Sequence, residues 1–146
     1  MRRIAVGLIL AAAFLSAAAS LRYLFAAEFM PYHAVVAGRQ WAAIEPGTQT
    51  IILGMLRILA GGFLASGLAL AFLCVPLWRG ERWAPWAILL VGVAVWGPTL
   101  SVTLMLQAAQ PAANPPTLAT LALLVLIAAG SLMAMFAKRG AAPAAG

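Results

Sequence analysis

Aspartate is absent from this chain, and only three glutamates, one histidine and one cysteine are present in 146 residues. Each scarcity excludes something. With Cys74 alone, no disulfide closes within the chain. With His33 and Cys74 expected at opposite ends of the fold, no metal site is expected, and no cofactor is called for. No glutamate falls inside a hydrophobic run. That counts against a proton-coupled exporter of the small multidrug type, which needs an embedded carboxylate to load and release the proton. Neither a Gly-rich phosphate loop, nor Cys-x-x-Cys-His, nor a Gly-x-Ser-x-Gly elbow occurs. Charged residues make up 8%, against roughly 25% in an ordinary soluble domain. A chain this poor in charge lacks the polar surface that keeps a soluble fold dispersed.

What is present is hydrophobic: 65% of the residues, with a mean hydropathy of +1.03. A hydrocarbon layer about 30 Å thick takes about 20 helical residues. Four runs reach that length: residues 4–25, 50–78, 83–107 and 117–137. The chain therefore reads as all-α, one integral membrane domain over residues 1–140, with a polar loop at 27–47 and a flexible tail at 141–146. Arg2 and Arg3 precede the first run, Arg79 and Arg82 separate the second and third, and Lys138 and Arg139 follow the fourth. Four crossings place all six on one side and leave Arg22 and Arg39 on the other. By the positive-inside rule both termini are expected to be cytoplasmic, and the basic excess answers to membrane orientation rather than nucleic acid. The start, "MRRIAVGLILAAAFLSAAAS", also has the pattern of a cleavable signal peptide. The apolar character continuing through "LRYLF" favours an uncleaved first helix.

Lipid gives helices no hydrophobic reason to associate, so small residues matter. "LAGGFLASGLAL" offers Gly61 with Ala65 and Gly62 with Ser66, four apart, and the alanines of the first run and Ala128–Ser131 of the fourth complement them. A four-helix bundle is expected, with a homodimer through one such face equally allowed. Trp78, Trp83 and Trp86 read as an interfacial belt, with Trp41 at the opposite face. Pro98 is expected to kink the third helix.

Arg57 is the one charge well inside a run, Arg22 standing near the end of the first. Counted from Thr48, the expected N-cap of the second helix, it lies about 13 Å in. Ser16, Ser20 and Tyr23 form a stripe on the first helix, and Trp96, Thr99 and Thr103 another on the third. Together these residues are expected to line an outward-facing polar pocket. Glu28 or Glu45 would reach down to Arg57, and Tyr32 and His33 would line a lid. Pro31 and Gly38 suit the start and end of a short helix in that loop. The plainer readings are that Arg57 snorkels to water or locks the loop, and that the serines and threonines bond their own backbone.

The plan resembles the small four-helix bacterial membrane proteins called DoxX-like, in size, helix count and a polar loop after the first helix. The stretch "EFMPYHAVVAGRQWAAIEPGTQTIILGMLRILAGG" is similar to a motif of uncharacterised bacterial membrane proteins. The resemblance implies a protein of the bacterial inner (cytoplasmic) membrane whose loop and second helix carry what is specific, and it carries over no catalytic residue. The leading expectation is a non-enzymatic protein that binds a small amphipathic or anionic ligand, such as a lipid or quinone headgroup. On that reading Arg57→Leu abolishes binding and Arg39→Leu leaves it intact. One alternative is an accessory subunit of a larger membrane complex. Another is an intramembrane enzyme using His33 and Glu28.

Overall fold

In a computed structural model that describes residues 1–137, the chain is helical throughout its regular structure. The helices are α1 (Arg2–Leu24), α2 (Pro31–Ala37), α3 (Pro46–Arg79), α4 (Ala84–Ala109) and α5 (Thr117–Phe136), with 3-10 turns at Trp41–Ala43 and Pro111–Ala113. Four of them, α1, α3, α4 and α5, are long and apolar enough to cross a membrane. Lys138, Arg139 and the expected tail lie outside the described residues.

Local sequence explains the boundaries. α3 starts earlier than Thr50, because Glu45 rather than Thr48 is the N-cap. The Glu45 carboxylate accepts from the backbone N–H groups of Gly47 and Thr48, and Pro46 supplies a first position with no donor to lose. At its other end Gly80 adopts φ 84°, the left-handed conformation that closes a helix. Gly80 N–H then donates to Leu77 and Glu81 N–H to Pro76. α2 is the short helix between Pro31 and Gly38, and Gly38 ends it at φ 63°. α4 continues as helix through Pro98, which is exposed.

α1 lies against α3 and α5, and α4 against α5 and α3, so each long helix touches two others. The residues buried between them include Ile9, Phe63, Leu70, Leu77, Ile88 and Ile127. Close approach depends on glycines other than the expected pair. A Cβ on Gly67 would sit 2.9 Å from the Ala13 carbonyl oxygen and 3.3 Å from Ser16 Cβ; one on Gly130 would meet Ile9 at 2.7 Å. Gly61, Gly62 and Ala65 instead face away from the other helices, and a Cβ on either glycine would meet nothing within 4 Å. Of the expected stripe, Ser66 alone is buried within the chain, and Gly61, Gly62 and Ala65 are turned outward. Two ends follow from this packing: an arginine end, with Arg2, Arg3, Arg79 and Arg82, and a loop end, with residues 25–47.

Candidate functional site at the loop end

The polar stripes of α1 and α4 do meet α3, but they enclose packed rings. Phe63 and Trp96 stack with centroids 4.5 Å apart and planes 8° from parallel, and Tyr23 meets Phe63 edge-on at 5.6 Å. Trp96 Nε1 donates to Ser66 Oγ at 3.3 Å. Two large rings therefore fill the depth at which an open chamber was expected. The hydroxyls are occupied too. Ser16 donates to Ala12, Thr99 to Val95 and Thr103 to Leu100, each within its own helix, and Ser20 donates across to the Ala60 carbonyl at 2.8 Å. Ser16, Ser20, Thr99 and Thr103 serve the backbone and helix packing.

Arg57 is exposed on α3, and the reason lies in register. Ser20 bonds Ala60, Gly67 abuts Ser16, and the Arg2 guanidinium covers Gly80. Running antiparallel through these three contacts, α3 brings Arg57 level with the last turn of α1. The first turns of α3 project past that level, so a depth counted from the helix end overstates how far inside the residue lies. Arg57 and Arg79 are 22 positions apart, about 33 Å of helix, which is close to one hydrocarbon thickness. Arg57 thus lies at the loop-end edge of the packed helices, level with the last turn of α1, rather than midway along them. The carboxylate expected to reach it from Glu45 is committed to capping α3, also accepting from Thr48 Oγ1 at 3.1 Å.

Above that edge the loop folds into a cap. The Tyr32 hydroxyl on α2 lies 2.7 Å from the Tyr23 hydroxyl on α1. Burial, together with that hydrogen bond, pushes the Tyr32 phenol well above the usual tyrosine range. His33 packs edge-on against Tyr32 at 4.2 Å, and its Nδ1 accepts the Met30 N–H at 3.2 Å, closing the first turn of α2. Burial holds the His33 imidazole below its ordinary value, so it is neutral at neutral pH. Phe29 is buried between His33 and Trp41, 5.0 Å from the indole. Gln49 Nε2 donates to the Trp41 carbonyl at 2.9 Å, tying the cap to α3. Hydrogen bonds from Gly47 and Thr48 keep the exposed Glu45 carboxyl below the usual carboxylate range.

The cap encloses an open groove of about 540 Å³. Glu28 and Arg39 both line it, with Phe29, Val35 and Trp41 supplying apolar surface. Among the described residues neither charge is paired with the other. Of the expected site residues, Glu28 alone lines this groove, while Tyr23, Tyr32 and His33 support it from beneath. Arg57 and Trp96 belong elsewhere. Arg39, Phe29 and Trp41 were missed as site residues. Their signal was compositional: a cation, an anion and two large rings within fourteen positions of one polar loop.

No three His, Cys, Asp or Glu side chains come together as a metal site among the described residues. What the fold and this groove define is a class: an all-helical protein with four helices able to cross a membrane and an ordered aromatic cap at one end. Compared with protein-family models, with curated proteins and with solved structures, the chain matches none of them.

Proposed function

We propose that the chain is a non-enzymatic, multi-pass protein of a bacterial inner membrane, a four-helix bundle with both termini cytoplasmic. Its cap, on the outer face, binds the headgroup of a small amphipathic ligand. The one-sided distribution of arginine supports the orientation. One observation supports the binding role most: Glu28 and Arg39 line the same groove, unpaired with each other, beside Phe29 and Trp41. A zwitterionic headgroup fits that chemistry. Its ammonium meets the carboxylate, its phosphate meets the guanidinium, and its tail leaves toward the apolar slab. The groove lies just beyond the end of α1, which is headgroup depth.

The test is lipid retention by the purified chain, read by native mass spectrometry with phosphatidylethanolamine. Arg39→Leu and Glu28→Gln are each expected to release the lipid, and Arg57→Leu to retain it. Retention by both groove variants refutes the reading.

A second reading is an accessory subunit of a larger membrane complex, and the outward face of α3 favours it. Gly61, Gly62 and Ala65 form a small-residue surface that the chain's own helices leave uncovered. Purification in mild detergent as a stable assembly with other proteins supports this reading; migration as a lone monomer removes it.

A further inference from the structure

We propose that the arginine end carries a second binding site, for the phosphodiester of an anionic membrane lipid. It lies in a groove of about 770 Å³ between the α3–α4 turn and the last turns of α5. Arg2 and Arg82 line the groove with Trp86, Leu132 and Phe136.

The placement of Arg2 is built into the fold. Its guanidinium lies directly over Gly80, so that a Cβ there would come within 2.9 Å of a guanidinium nitrogen and 3.1 Å of Cζ. Gly80 also holds φ 84°, which disfavours any side chain. A single glycine thus reverses the chain between α3 and α4 and leaves room for the first arginine of α1 to cross onto the turn. Arg82 is added from that turn itself. Glu81 lines the same groove, yet among the described residues neither Arg2 nor Arg82 is within ion-pair distance of it. Two unpaired guanidinium groups bordering one groove form an anion site, and the planar donor fork of arginine suits phosphate oxygens.

The other wall decides which phosphate. Phe136 is 76% exposed and Trp86 is 65% exposed, beside Leu132 at 48%. A free phosphate has no use for that surface, whereas a glycerophospholipid lays its first methylenes there. Basic pockets between membrane helices on the cytoplasmic side bind anionic headgroups in this way. The site rests on the membrane-spanning reading and is independent of the groove in the cap.

The full chain is mixed with equal amounts of phosphatidylglycerol and phosphatidylcholine in mild detergent, and retained lipid is read by native mass spectrometry. The wild type is expected to prefer phosphatidylglycerol. Replacing both arginines, Arg2→Gln with Arg82→Gln, is expected to lower that preference about tenfold. Arg57→Gln, at the other end and outside both grooves, is expected to leave it unchanged. Millimolar inorganic phosphate should not displace the lipid. The proposal is overturned if the double variant keeps its preference, if Arg57→Gln loses as much, or if inorganic phosphate competes the lipid away. Retention of neither lipid by the wild type overturns both this site and the membrane reading beneath it.

Discussion

Replacing Gly67 by alanine, set against the same change at Gly61, separates packing from helix propensity. Both glycines lie inside α3, so each gains the same intrinsic advantage from alanine, about 0.5–1 kcal/mol. At Gly61 the new methyl enters open space. At Gly67 it meets the Ala13 carbonyl oxygen at 2.9 Å and the Ala17 nitrogen at 3.3 Å. These are backbone atoms, which no rotamer change can move aside. Ordinary contact begins near 3.4 Å, so α1 and α3 must part by about half an ångström along their shared face, loosening the Ser20–Ala60 bond as they do. Overpacking of this kind costs about 1–3 kcal/mol. Because the propensity gain cancels, Gly67→Ala should be less stable than Gly61→Ala by that same amount. Reversible unfolding in mixed detergent micelles, titrated with dodecyl sulfate, measures the difference. Equal midpoints for the two variants would mean that α1 and α3 do not meet at Gly67, and the register used to place Arg57 would fall with that contact.

Four further outcomes are expected. Among the described residues Ser131 Oγ is buried with no partner, so Ser131→Ala should be neutral or stabilise by up to about 1 kcal/mol. Ser66→Ala, which leaves the Trp96 indole N–H without its acceptor, should destabilise by about 0.6–1.7 kcal/mol in the same unfolding titration. Tyr32→Phe breaks the hydroxyl pair with Tyr23 and should weaken docking of α2 by about 1 kcal/mol, seen as faster hydrogen exchange of the α2 amides with no change in α4. Finally, the folded His33 has its pKa lowered by burial. Its contribution is complete above the ordinary histidine value near 6.5 and is lost as pH falls through the lower folded value, because protonating Nδ1 removes the acceptor for Met30 N–H. Exchange at the start of α2 should therefore accelerate on acidification. His33→Gln, which keeps an acceptor without titrating, should abolish that pH dependence.

The spans were legible because length and hydropathy are summed over twenty or more residues, and sums tolerate local error. The start of α3 was less so. Its signals, Glu45 and Pro46, stand in the sequence, but Thr48 is a commoner capping residue and drew the boundary inward. The short helix from Pro31 to Gly38 was legible because proline and glycine each fix a backbone angle. The site was not, and Arg57 shows why. Sequence gives its distance from a helix end, whereas burial depends on how far the neighbouring helices extend beside it. α1 stops at Leu24 while α3 runs on past it. The small-residue stripe misled for a related reason. Gly61 and Gly62 form the visible pair, yet a stripe records only that a face permits close approach and leaves open whose backbone approaches it. Phe63 and Trp96 are far apart in sequence, and nothing in either run marks them as stacking partners.

The surplus length of α3 ties the packing to the candidate groove. α3 has 34 residues against 23 in α1 and 20 in α5, so at 1.5 Å per residue it is about 16 Å longer than α1. The excess stands at the loop end and gives the cap a rigid post. The cap is fastened to that post through Gln49 and the Trp41 carbonyl, and to α1 through the Tyr32–Tyr23 pair. Glu28 lies between the end of α1 and α2, and Arg39 between α2 and the 3-10 turn before α3. The two charges thus flank α2, and the cap that holds them is fastened to both α1 and α3, which the missing side chain of Gly67 lets approach closely. A substitution in the middle of the helices should then change ligand retention at the cap without touching it. That connection distinguishes a site mounted on the helices from a loop that happens to be charged.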